Sequence, residues 1–103
     1  MTERYFVEQM SCGFCDELKG IIEEINLLLP AEKRIQVIDA TWDWGFKINL
    51  NPILKRLDID ATPSLYLDGD LYQGFVSRLD FKSFLMGYLK EIGDLKRRYF
   101  EMD

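Results

Sequence analysis

From Phe14 onward the apolar residues fall at Phe14, Leu18, Ile21, Ile22, Ile25, Leu28 and Leu29, the three-and-four spacing of an amphipathic helix. Pro30 ends that pattern, because proline cannot continue a helix interior. Before it, Arg4 to Gln9 is short and apolar enough for a buried strand; after it, Arg34 to Asp39, with Ile35, Val37 and Ile38, reads as a second. Strand, helix and strand together predict a parallel βαβ unit with a right-handed crossover. Gly20 sits inside the helix, where it costs about 1 kcal/mol relative to alanine, so it is expected to mark close packing against the sheet.

Asn51-Pro52 offers a second helix start, with Asn51 as cap and Pro52 in the first turn, followed by Ile53, Leu54 and Leu57. Ser64 to Leu67 and Leu71 to Phe75, separated by Asp68-Gly69-Asp70, predict a β-hairpin. Ser77, with Asp80 three residues on, has capping-box spacing with Asp in place of Glu or Gln. The helix it opens carries Leu79, Phe81, Phe84, Leu85, Tyr88, Leu89, Ile92, Leu95 and Tyr99 and is expected to run to about Phe100. Between the second strand and second helix, Trp42-Asp43-Trp44-Gly45-Phe46 has no clean period; it reads as a loop, although alternation at 42, 44 and 46 also permits a short strand.

A chain of 103 residues has the size of one ordinary domain, so residues 1–103 are expected to form a single unit with its own core. The net charge of −5 and the confinement of basic clustering to Lys96-Arg97-Arg98 argue against nucleic acid as a partner. Met1-Thr2-Glu3-Arg4 is no basic-then-apolar leader, and runs such as Leu27-Leu28-Leu29 are far too short to cross a bilayer. The expectation is a cytoplasmic protein without a membrane partner.

The chemistry of the chain centres on Cys12-Gly13-Phe14-Cys15, at the junction of the first strand and first helix. Residues three apart on a helix are neighbours, so the two sulfurs can close a disulfide with little backbone movement. At the helix N-terminus, free N–H groups and the helix dipole favour the Cys12 thiolate, the form that attacks a disulfide. Cys15, one turn in, suits the resolving role. The alternatives for the pair are a structural disulfide or two cysteines that merely pack.

The element order, Cys-x-x-Cys opening the first helix and Thr62-Pro63 opening the hairpin, resembles the thioredoxin fold in its minimal form. The resemblance covers nearly the whole chain, and Ile59-Asp60-Ala61-Thr62-Pro63-Ser64-Leu65-Tyr66-Leu67, Gly69 and Gly74 to Phe81 follow the thioredoxin spacing. It implies an α/β domain with a four-stranded mixed sheet and three helices in the order βαβαββα. It also implies that Cys12 attacks, that Cys15 resolves and that Thr62-Pro63 is a cis peptide facing them, with Gly13, Phe14, Thr62, Pro63 and Gly74 touching substrate. In the family the backbone just before that proline, here Thr62, pairs with bound substrate like a strand edge.

Departures from the thioredoxin pattern are specific. Ser11 stands where a tryptophan usually precedes the motif, and Phe6 stands where a buried acid helps to move the resolving proton; Glu8 is the carboxylate available as its substitute. Absence of the leading strand and helix moves the architecture towards glutaredoxin. Asp16 and Glu17, which would repel an anionic tripeptide, and the lack of a Gly-Gly pair near Gly74 argue against glutathione. Thr41 to Lys47 looks like an insertion, with one tryptophan expected in the core and one at the rim of the cysteine site.

These features predict a monomeric thiol-disulfide oxidoreductase acting on protein disulfides, with no bound cofactor or metal and an external reductant, either a flavoprotein or glutathione. A second possibility is a glutathione-linked glutaredoxin or a dimeric iron–sulfur module, because Cys-Gly-Phe-Cys is similar to the Cys-Gly-Phe-Ser of monothiol glutaredoxins. With two Cys and no His, one chain cannot supply four soft ligands, so the cluster reading requires a dimer. A third is a protein-binding subunit whose redox chemistry is incidental.

Overall fold

The structure, a computed structural model, describes residues 3–9, 12–41 and 51–95. Along the chain come β1 (Arg4–Glu8), α1 (Gly13–Asn26), a 3-10 turn (Ala31–Lys33), β2 (Gln36–Asp39), α2 (Pro52–Arg56), β3 (Ser64–Leu67), β4 (Asp70–Tyr72) and α3 (Arg78–Glu91). The sheet order is β2-β1-β3-β4. β1 lies parallel to β2, with Tyr5 opposite Gln36 and Glu8 opposite Asp39. It is antiparallel to β3, with Arg4 opposite Leu67 and Val7 opposite Ser64, and β3 is antiparallel to β4. This is the expected α/β architecture, a mixed four-stranded sheet with three helices in the order βαβαββα.

Strand alternation divides the core between the two faces of the sheet. Phe6, Leu65 and Leu67 pack against Leu18, Ile21, Ile22 and Ile25 of α1 and Phe81, Leu85 and Leu89 of α3. Val7 and Ile38 face the other way, onto Ala40, Leu54 and Ile59 beside α2. The apolar stripe of α1 is therefore what clamps the start of that helix, and the cysteines with it, over the central strand.

Four boundaries differ from the sequence reading by two residues or more, while β1 ends one residue early, at Glu8. α1 stops at Asn26, four residues before Pro30, because Leu27, Leu28 and Leu29 tighten into bonds to carbonyls three residues back. Asn26 then turns its amide onto the approaching chain, accepting from Ile35 N at 2.8 Å and donating to Ile35 O at 2.9 Å. That leaves Leu27 81% exposed, although it continues the apolar run. β2 starts at Gln36 rather than Arg34, since the 3-10 turn consumes the preceding residues. β4 is shorter and earlier than expected, and Phe75, read as its end, instead packs edge-on against Phe81 with ring centroids 4.8 Å apart. α3 ends at Glu91, where Gly93 takes a left-handed φ of 80° that lets Asp94 N reach back to Leu89 O. The part of the expected helix beyond Leu95, and the Trp42–Phe46 segment, lie outside the described residues.

The caps follow the sequence closely. Asn51 Oδ1 accepts from Ile53 N at 2.9 Å and Ser77 Oγ from Asp80 N at 3.0 Å. Asp80 reciprocates one residue early, accepting from Val76 N. Gly20 departs from expectation, since a Cβ built there meets nothing within 4 Å.

At the Arg4 end of the sheet, segments distant in sequence meet through charge. Arg4 donates bidentately to Asp68, which lies in the β3–β4 turn, and from Nη1 to the Lys33 carbonyl at 2.9 Å. Its Nη2 also bonds Asp94, which takes a second cation from Lys33 at 2.8 Å. Tyr88 Oη donates to Asp68 at 2.8 Å. Arg4 and Asp94 side chains are each 3% exposed.

Candidate active site

β1 delivers the chain to the first turn of α1 at the opposite end of the sheet. Cys12 is the N-cap residue, in extended conformation, and its Sγ accepts from Cys15 N at 3.1 Å. Cys12 and Cys15 are joined in a disulfide, with Cα atoms 5.2 Å apart. The two sulfurs are not equivalent. Cys12 is half-buried, whereas Cys15 is fully buried beneath the helix with Leu18 and Ile22. In the reduced protein the Cys15 N–H and the helix N-terminus would stabilise negative charge on Cys12 Sγ.

Glu8, at the end of β1, shares the sheet face of Phe6 and so points under α1. Lys19 is one turn beyond Cys15 on that helix, and its Nζ lies 3.6 Å from Glu8 Oε1. Glu8 Oε2 is buried without a hydrogen-bond partner among the described residues. The carboxylate read from sequence as a substitute for the missing acid is therefore on the helix side of the sheet, paired with Lys19 of α1.

Thr62-Pro63 is cis, and both residues are half-buried just before β3. Gln9 ties this turn to the cysteine loop: its carbonyl accepts from Cys12 N at 3.1 Å, and its Oε1 accepts from Thr62 Oγ1 at 3.4 Å. Gly13 is exposed at the first position of α1, while Phe14 leans inward against the main core. Gly74 is exposed in the segment leaving β4, with a φ of 80°. Gln9, Ser64 and Gln73, whose side chains hold the turn, were not singled out in the sequence; neutral polar residues at strand ends carry no spacing signal. On the outer side of β2, Thr41 donates twice to Asp39, and these bonds hold that carboxyl below its usual range.

Among the described residues, no group of three or more His, Cys, Asp or Glu could hold a metal ion, and no helix is long and apolar enough to cross a membrane. The sequence matches no protein-family model and no curated protein. Among solved structures it is similar to the J-Trx1 fragment of ERdj5, at 17% identity and TM-score 0.56, covering 85% of this chain and 41% of that one. It thus spans about two fifths of that fragment's length. A malarial protein is similar at 13% identity and TM-score 0.52, over 86% of this chain and 98% of the other. Thioredoxin-2, a component of malaria parasite protein secretion machinery, matches at 13% identity and TM-score 0.46, over 84% of this chain and 82% of its own. At these identities the likeness is one of fold: the chain has a thioredoxin-like fold, with a Cys-x-x-Cys disulfide at the start of its first helix.

Proposed function

We propose that the chain is a thiol-disulfide oxidoreductase that reduces protein disulfides through a Cys12/Cys15 dithiol-disulfide cycle. The asymmetry of the pair carries this reading: one sulfur is reachable at a helix N-terminus, and its neighbour is fully buried one turn in. In the reduced protein the Cys12 thiolate attacks a substrate disulfide, forming a mixed disulfide and releasing one substrate thiol. Cys15 loses its proton to Glu8 and attacks Cys12 Sγ. This releases the second substrate thiol and leaves the Cys12–Cys15 disulfide, so two electrons pass to the substrate. An external dithiol or glutathione returns two electrons and restores the dithiol. Exposed Asp16 and Glu17 beside the motif favour a protein dithiol as donor over the anionic tripeptide. The cycle needs one chain and a reducing compartment such as the cytoplasm.

The cysteine variants test the roles. Cys12→Ser is expected to abolish reduction of a protein disulfide, and Cys15→Ser to accumulate mixed disulfides detectable by intact mass. Glu8→Gln should lengthen the life of the mixed disulfide in an otherwise native protein. Faster alkylation of Cys15 than of Cys12 in the reduced protein would reverse the assignment.

A further inference from the structure

The turn that carries Thr62 and Pro63 is gripped from behind by two neutral side chains. Gln73, just past β4, donates from Nε2 to Ser64 Oγ at 2.8 Å, and Ser64 donates in turn to the Ala61 carbonyl at 2.5 Å. Ser64 is fully buried, so its hydroxyl has no bulk water to turn to. A serine hydroxyl has one proton to give and lone pairs to receive. With the Gln73 amide occupying a lone pair, that proton is directed onto Ala61, and each bond polarises the other. The Ala61 carbonyl belongs to the same peptide plane as the Thr62 N–H. Fixing the carbonyl therefore fixes the direction of that N–H. In front, Gln9 joins Thr62 Oγ1 to the backbone of Cys12, so the turn and the cysteine loop form one frame.

We infer that Gln73 and Ser64 are positioning residues for substrate, holding the Ala61–Thr62 peptide in the orientation in which an extended segment of a protein disulfide pairs with the Thr62 backbone. The inference rests on the reading of the chain as a protein-disulfide reductase. It concerns recognition of the peptide around the disulfide and leaves the sulfur chemistry untouched. A small disulfide with no peptide backbone makes no use of the frame.

Gln73 is exposed, so its side chain can be changed without opening the core. Gln73→Glu is nearly isosteric but reverses the polarity of the contact: an ionised carboxylate only accepts, so the Ser64 proton turns to it and the Ala61 carbonyl is abandoned. Gln73→Leu removes the donor, and Gln73→Lys keeps one. With a disulfide-bonded protein as substrate, KM is expected to rise about fivefold in Gln73→Leu, the worth of one neutral hydrogen bond. A rise of about tenfold or more is expected in Gln73→Glu, and Gln73→Lys should stay near wild type. For all three, kcat and the rate with hydroxyethyl disulfide should be unchanged. Wild-type KM in both Gln73→Glu and Gln73→Leu, or equal losses on the two substrates, would overturn the inference while leaving the reductase reading in place. A wild-type protein inert towards both disulfides would overturn the two together.

Discussion

At the end of β1 where Arg4 lies, a guanidinium, an ammonium and two carboxylates from four segments of the chain converge; around Cys12, the turns are joined by amides, hydroxyls and backbone. Both ends bring together parts of the chain that are far apart in sequence. They differ in what must happen there. A buried charge shifts the ionisation of any neighbour strongly, which does no harm where nothing titrates in function. In the proposed cycle the Cys12 sulfur alternates between thiolate and disulfide, and a frame of neutral groups beside it fixes position without adding a side-chain charge that would bias either state. The charged pair at that end, Glu8 with Lys19, is correspondingly loose at 3.6 Å, and one Glu8 carboxylate oxygen has no partner among the described residues.

The contrast is broken most severely at Arg4. Arg4→Met leaves Asp94 buried against Lys33 alone, and loss of one member of such a cluster costs about 3 to 5 kcal/mol. Urea unfolding should show a loss of that size, while the folded fraction keeps its disulfide chemistry; loss of activity in step with stability at saturating substrate would show the two ends to be coupled. Arg4→Met combined with Asp94→Leu should recover much of the loss, because an apolar pair replaces a charged one.

Titration probes the charged end without mutation. Burial raises the Asp94 carboxyl, but the bonds and charges of Lys33 and Arg4 outweigh it and hold the group below its ordinary 3.8. Its folded value is depressed, so its contribution is complete above about pH 4 and drains away as pH falls through the folded value. Tyr88 is pushed up to about 12 from 10.0 by burial and by its bond to Asp68. That raised value makes a contribution present below pH 10 and lost as pH rises towards about 12. Thermal melts across pH should show both edges, and the acid edge should shrink in the Arg4→Met, Asp94→Leu protein, leaving the part that Asp39 contributes.

The smallest effect lies in α1, between the two ends. Gly20→Ala meets open space and removes a flexible helix residue, so it should stabilise the protein by up to about 1 kcal/mol. An unchanged or lower melting temperature would mean that the position is packed after all.

What the sequence made legible was local. Apolar spacing located α1 and α3, Asn51 and Ser77 announced their helix starts, and the Cys-x-x-Cys spacing placed a closable pair where a disulfide is found. Leu28 and Leu29 misled because they prolong the period of a helix that Asn26 has already ended by bonding to Ile35. Gly20 misled because a helix glycine that costs stability suggests a packing reason, and none is present among the described residues. The Arg4 cluster joins residues 64 and 90 positions apart, a separation that no window along the chain can read. Gln73 and Ser64 are nine apart across a hairpin, and their link depends on where β4 ends, which strand propensity placed three residues too late.

The complete burial of Cys15 also sets how the reduced protein meets oxidants. With Cys15 as buried in the dithiol as it is in the disulfide, peroxide would reach only the half-buried Cys12, and damage would begin at one sulfur. A sulfenic acid formed on Cys12 faces the Cys15 thiol one helical turn away, and condensation of the two expels water and returns the same internal disulfide. The ladder towards sulfinic and sulfonic acids is cut at its first rung, because the competing thiol is held at contact distance and a second peroxide must arrive by diffusion. An oxidative burst would thus convert the protein into the internal disulfide of the proposed cycle, a form that a dithiol can reduce again.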